Sequence, residues 1–494
     1  MPHDEPSLPS RQWSPRWRRA ASVARRHTDR ALAQTDRAVE RAVRPTDPPT
    51  DEIAVWTGPD GVDRPTGQGV VDLAARIGVA LMATGAPAAE VVGRVLAVTR
   101  AYGLGSVHVD VTFSSLLVSY HRGPDSDPMT ILRVVPVRSQ DFTRYTRLRA
   151  LLDSVVARPR PPAEVREDLD AVIGAPHPYR RWVVTASLGL LALSAAVLLG
   201  AGPAIALVAF ATSSLVASVQ WRLGRLGFAP FFTQAIGAAI PTTVAAAIAA
   251  VRSQDLMLAL SPSLVVAAGI VVLLSGLSFV GAAQDAIEGF YVTAGGRFNE
   301  VLVLTLGIVV GIVAVLAVAN RLAVPMAFSA RAVGSVSPVL EVLAAVGVAA
   351  CFAVSAYAVG RGVLLSALAG GSAWVFLLVL GWLGAGRPAA SAVAAFLVGF
   401  PAQLVARRMR VPALVVTTAA ILPLVPGRLV YQGIFQAVTN PSEAGLGEGL
   451  ATLLQAAGVG MGLAAGVTLG TSLARLLLRL RDGRRRRNAP GAAR

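Results

Sequence analysis

From Trp182 onward, apolar runs of about 20 residues succeed one another with short breaks, and this constrains the fold more than any other feature of the chain. As a helix, a run of that length crosses the roughly 30 Å hydrocarbon core of a bilayer, where only helices and closed barrels satisfy every backbone donor and acceptor. Ten such segments can be drawn, over 182–200, 203–220, 231–251, 261–281, 301–319, 338–359, 362–383, 388–406, 411–430 and 450–474. With 54% hydrophobic and only 15% charged residues, and a mean hydropathy of +0.59, a soluble multidomain protein is excluded. The expectation is a polytopic α-helical membrane protein of about ten spans with an N-terminal cytoplasmic α+β domain.

A longer connection over 320–337 separates a first five-helix half, 182–319, from a second, 338–480. An odd number of spans per half forces opposite orientations in the bilayer. That is compatible with inverted repeats, a design in which substrate binds near the midplane at interrupted helices.

Residues 1–66 read as an Arg- and Pro-rich tail. It carries a near-repeat seven residues apart, Thr28-Asp29-Arg30-Ala31 and Thr35-Asp36-Arg37-Ala38, open to either a basic amphipathic helix or a solvated tail. Its polar opening is unlike a signal peptide. Between 67 and 160 the pattern is that of a small folded unit. Two helices meet at a turn marked by Gly85 and Pro87, then Val107, Val109 and Val111 alternate with His108, Asp110 and Thr112 as in a half-buried strand. Two further strands and a closing helix that Asp141 can cap complete it. Residues 161–181 read as a linker and 481–494 as a basic tail.

All 45 basic residues are arginine, and the formal net charge is +16. Arg180, Arg181, Arg222, Arg225, Arg361 and the run after Arg481 flank one set of span ends, with fewer arginines at the other. By the positive-inside rule both termini are then cytoplasmic, and the charge reads as membrane retention and attraction to anionic lipid. No nucleic-acid module, phosphate loop or metal-ligand spacing is present, and no cofactor is implied. The single Cys351 falls inside a span.

His108, Asp110, Ser114, Ser115 and His121 are the residues closest to an enzyme-like set, and His108, Asp110, Thr112 and Ser114 make the polar face of the sheet. They lie along one strand pair with no glycine-flanked nucleophile elbow, so the polar face of a sheet explains them as well as a hydrolase does.

Two stretches depart from the apolar pattern. Pro423, Pro426 and Gly427 interrupt the ninth span, and a break inside lipid is tolerated only where the freed backbone groups face protein or a water-filled cavity. The connection after the fourth span, Gly281 to Glu300, gathers Gln284, Asp285, Glu288, Arg297 and Glu300. Either it is a wetted loop, or it forms the cytoplasmic entrance of a transport path, with Asp285 the leading proton or ammonium partner and Arg297 a carboxylate partner. Glu341, near the outer side, is the remaining acid.

At these residues the chain resembles the threonine/serine exporter family. The likeness runs from about Gly67 to Arg481 and is carried by "LMATGAPAAEVVGRVLAVTRAYGL", "VHVDVTFSSLLVS", "QDAIEGFYVTAGGRFNE", the five-and-five spans and "VPALVVTTAAILPLVPG". It implies a secondary exporter of small amino acids in the bacterial cytoplasmic membrane, driven by proton antiport. Relatives split over two polypeptides resemble exporters of dicarboxylates such as succinate, so that substrate class stays open, as do a membrane-anchored hydrolase, a channel and a homo-oligomer. Partners on this reading are the amino-acid substrate, protons and membrane lipid.

Overall fold

The computed structural model describes residues 63–122, 127–135, 139–250, 262–273, 276–324, 336–409, 411–439 and 443–487. The N-terminal near-repeat and most of the 320–337 connection, including Arg331, lie outside these residues, as does Arg252.

The soluble unit is built as its periodicity predicts. Helix α1 (Arg64–Ala83) is capped by Asp63, whose carboxylate accepts the Thr66 N–H, and it ends where Gly85 adopts φ +88°. Helix α2 (Ala88–Ala101) follows directly. Strands β1 (Val107–Thr112), β2 (Ser115–Tyr120) and β3 (Met129–Val134) form an antiparallel sheet in that order, with Val109 opposite Val118 and Val118 opposite Ile131. Val107, Val109 and Val111 face the core, whereas His108, Asp110 and Thr112 do not. Helix α3 (Phe142–Ala157) starts at its Asp141 cap, and α4 (Pro162–Gly174) folds back so that Val165 and Leu169 are fully buried with Leu73, Ile77, Val95 and Leu148.

Then come the membrane helices: α5 (Arg181–Leu198), α6 (Pro203–Arg225), α7 (Pro230–Ala250), α8 (Pro262–Leu273), α9 (Gly276–Ile287) and α10 (Tyr291–Arg321). The second half holds α11 (Pro338–Ser355), α12 (Arg361–Trp382), α13 (Arg387–Met409), α14 (Ala413–Ile421), α15 (Gly427–Thr439) and α16 (Glu443–Arg487). Among the described residues eight helices are long and apolar enough to cross a bilayer, and a ninth crossing is the bent pair over Ala413–Leu424 and Gly427–Ala437. The fourth segment drawn from the sequence, 261–281, is described as α8 and the start of α9, with residues 274–275 between them outside the described residues. Each helix has 12 residues, too few to span alone.

Helices α9 and α15 each pack on both halves. Val280 and Ala283 of α9 are buried with Ala373, Ala394, Val398, Ile421 and Leu463 of the second half, whereas Tyr431 of α15 is buried with Ala209, Val266, Ile270 and Ile308 of the first. Close helix approaches rely on glycine: α16 brings Gly462 and Gly470 so near α13 that a Cβ there would stand 2.7 Å from the Pro388 carbonyl oxygen and 2.9 Å from that of Phe396.

The soluble unit is docked on this bundle. Its core is continuous with Ala353, Ala356, Val415 and Ala419 of the membrane helices. The Phe142 N–H donates to the Ala356 carbonyl at 2.9 Å and the Tyr179 hydroxyl to that of Ala358 at 2.8 Å, while Thr143 donates to Tyr357, a residue held at φ +61°. Against the first half, Thr293 donates to the Val111 carbonyl at 2.8 Å and Phe113 covers Gly296, where a Cβ would come 2.6 Å from the Phe113 Cβ.

Candidate functional site

The charged stretch is almost wholly helical rather than a loop. Drawing spans by hydropathy ends them at the first charges, yet α9 continues through Asp285 to Ile287 and α10 begins at Tyr291. Only residues 288–290 intervene. The reversal turns on Gly289 at φ +89°, a left-handed conformation that a side chain would strain, and the Phe290 N–H closes it on the Asp285 carbonyl at 2.8 Å. That turn sets Arg297, two turns into α10, back against α9. Its Nη1 lies 3.1 Å from Asp285 Oδ2, with Asp285 0% exposed and Arg297 15%. Gly281, one turn before Asp285, makes the space, because a Cβ there would stand 3.0 Å from the same guanidinium nitrogen. The helices can continue past hydropathic limits because paired charges need not reach water.

Asp285 has a second partner from far along the chain: its Oδ1 accepts the Ala88 N–H at 3.2 Å. Ala88 is the first residue of α2, so one of the N–H groups that a helix leaves unpaired at its N-terminus, together with the positive end of its dipole, is turned on the carboxylate. Asp285 is thus no solvated loop acid. It is the point where the soluble unit meets the first membrane half.

Glu288 occupies the turn itself. Burial, chiefly, raises its carboxyl to about 7, the Arg475 guanidinium opposes this, and the charges of Asp285 and Glu90 add to the rise. Its Oε2 is buried and has no hydrogen-bond partner among the described residues. Glu90, in the first turn of α2, accepts the Tyr145 hydroxyl at 2.5 Å and lies 3.6 Å from Arg149. Burial, with the Glu90 charge second, holds the Tyr145 phenol well above its ordinary value, so it stays a donor. Sequence reasoning missed Glu90, Tyr145 and Arg475. Nothing in their local pattern marks them, for Glu90 stands 195 positions from Asp285 and the fold alone joins them.

Of the other residues singled out, Gln284 has a half-buried side chain and contributes its carbonyl to the Glu288 N–H at 2.9 Å. Glu300 is exposed on α10, and Glu341 accepts the Trp374 indole N–H at 3.1 Å at the end of the bundle away from the soluble unit. The break in the ninth span lies where the prolines place it. α14 stops at Ile421, a 3₁₀ turn covers Leu422–Leu424, and α15 resumes at Gly427 after a bend of 46°. Ile421 and Leu424 share one core with Val280 and Ala283, so the break and α9 belong to one packed region. Just beyond it the Tyr431 hydroxyl is buried without a hydrogen-bond partner among the described residues.

The sheet residues form no comparable centre. Ser114 sits in the β1–β2 turn, while His108 is paired with Ser119 toward the other end of β1, about 20 Å along the strand at 3.3 Å per residue. His108 contacts the His121 ring edge-on at 5.6 Å, and Thr112 bonds Ser115. No serine, histidine and acid converge among these residues.

The comparisons agree with this architecture. One family profile, described as Putative threonine/serine exporter, matches residues 72–319, and another, described as Threonine/Serine exporter, ThrE, matches 339–472, so the boundary falls in the connection between the halves. The chain is 36% identical to a protein of Mycobacterium tuberculosis named probable threonine/serine exporter, over 84% of this chain and 78% of that one. It is 35% identical to the threonine/serine exporter of Corynebacterium glutamicum, over 83% of each. No solved structure matches. Family profiles matching 72–319 and 339–472, with identity of this order over most of the length, make the chain a member of the threonine/serine exporter family of membrane transporters.

Proposed function

We propose that this chain exports small hydroxylated amino acids such as threonine and serine across the bacterial cytoplasmic membrane in exchange for protons, with both termini and the soluble unit inside. The names of its relatives support the solute. The observation that carries the coupling is the buried group at the α9–α10 turn: Glu288 titrates at about 7, beside the Asp285–Arg297 pair. A zwitterion carries the same two charges as that pair, so its carboxylate can replace Asp285 at Arg297 while its ammonium engages Asp285. Glu288 then accepts or releases the exchanged proton at physiological pH without leaving a charge stranded in a dry site.

The test is threonine transport in proteoliposomes with an imposed pH gradient. Glu288→Gln keeps the shape and cannot titrate, so gradient-driven accumulation should fall at least tenfold while exchange of labelled for unlabelled threonine persists. Asp285→Asn should lose both. Accumulation by Glu288→Gln at the normal rate and with the normal pH profile would remove Glu288 from the mechanism.

A further inference from the structure

We propose that the groove between α5 and α6, at the end of the bundle that carries the soluble unit, is a binding site for the headgroup of an anionic phospholipid. A cavity of about 500 Å³ opens there, lined by Arg181, Trp182, Ser214, Ser218, Trp221 and Arg222, and none of its lining residues is acidic.

The side chains are already arranged around the Trp221 ring. The Arg181 guanidinium lies 4.9 Å from its centroid and that of Arg225 5.0 Å, so two cations are held over one indole without a carboxylate between them. Arg181 spends one donor on the Ala217 carbonyl at 3.3 Å and another on Tyr357, out of the five that a guanidinium has. Ser218 donates to the Ser214 carbonyl at 2.9 Å, whereas the Ser214 hydroxyl is buried without a hydrogen-bond partner among the described residues. Arginine forks and serine hydroxyls bind phosphodiester oxygens, and with no acid in the lining the site favours an anion over a zwitterionic choline headgroup.

A lipid is the occupant to which the surroundings point. Trp182 is 68% exposed and Trp221 40%, at the depth where amphipathic rings sit at a membrane interface. Farther along the same two helices Leu190, Leu207 and Leu215 are exposed, a surface suited to acyl chains and of no use to a free phosphate.

The experiment uses the full chain in vesicles of phosphatidylglycerol and phosphatidylcholine. Brominated phosphatidylglycerol should quench tryptophan fluorescence several-fold more than brominated phosphatidylcholine, and Trp221→Phe should remove most of that difference. In native mass spectrometry, phosphatidylglycerol should stay bound to the wild-type chain and to Arg387→Gln, altered at the opposite end of the bundle, and be several-fold depleted in the Arg181→Gln/Arg222→Gln double variant. Equal quenching by the two brominated lipids, retention of phosphatidylglycerol by the double variant, or equal loss from Arg387→Gln would each overturn the proposal. So would a fluorescence change with inorganic phosphate as large as that with the lipid, which would make this a site for the free ion.

Discussion

Glu288 is half-buried in a turn between two helices, where the Arg475 charge favours its ionised form and the acids Asp285 and Glu90 oppose it. Its elevated carboxyl has a consequence for stability whose sign can be worked out. In the unfolded chain the group titrates near 4.5 and in the folded protein at about 7, so between those values the folded state binds more protons and stability falls as pH rises. The melting temperature in detergent should therefore drop between pH 5 and pH 8, and in Glu288→Gln that part of the dependence should vanish, with the variant more stable than wild type at pH 8. The shift corresponds to on the order of 3 kcal/mol at most. A wild-type slope kept intact in the variant would place the pH dependence in other groups. Asp285, Glu288 and Arg297 were legible in the sequence as charges out of place between apolar runs. Their partners Ala88, Glu90 and Arg475 were not, because a backbone N–H has no sequence signature and an acid or arginine on a surface helix looks like any other.

Among the elements, the broken ninth span was the most readable, since two prolines within four residues remove backbone donors wherever the chain is placed. The 46° bend follows from Pro423 and Pro426 and calls for no left-handed angle at Gly427, which is absent from the residues at positive φ. Replacing both prolines with alanine should let α14 and α15 fuse into one straighter helix, pulling Tyr431 out of the first-half core and lowering threonine transport at least tenfold at normal membrane abundance. Radiolabelled efflux and a blot for abundance check this. Transport at the wild-type rate would make the bend a packing accommodation. The fourth segment was harder to read. Hydropathy predicts one span over 261–281, whereas α9 runs on to Ile287 and packs on the second half as well as on α10. Its apolar residues would serve equally well in either place.

At the scale of the whole molecule, the soluble unit touches both halves: Ala88 and Phe113 meet the α9–α10 region, and Phe142, Thr143 and Tyr179 meet the α11–α12 turn. The Ala88 contact can be removed alone. Ala88 is the first residue of α2, where proline is tolerated because that N–H has no partner within the helix. Ala88→Pro should leave the helix intact yet deprive Asp285 of its donor, and hydrogen exchange should rise several-fold across the 285–297 region and the start of α2 while the core of α1 stays protected. Unchanged exchange in 285–297 would show that Arg297 alone holds Asp285. The sequence by itself determined the membrane class, the three-stranded unit and the place of the proline break. Each of these depends on local composition or on a period of two or 3.6 residues, and such signals survive without knowledge of what packs against them. Only the tertiary structure decided that α9 and α15 each reach into the core of the other half and that a helix of the soluble unit starts on a buried acid of the membrane helices. Those outcomes depend on shape and charge complementarity between segments as far apart as Ala209 and Tyr431, and an apolar stretch carries no mark of which apolar surface it will cover.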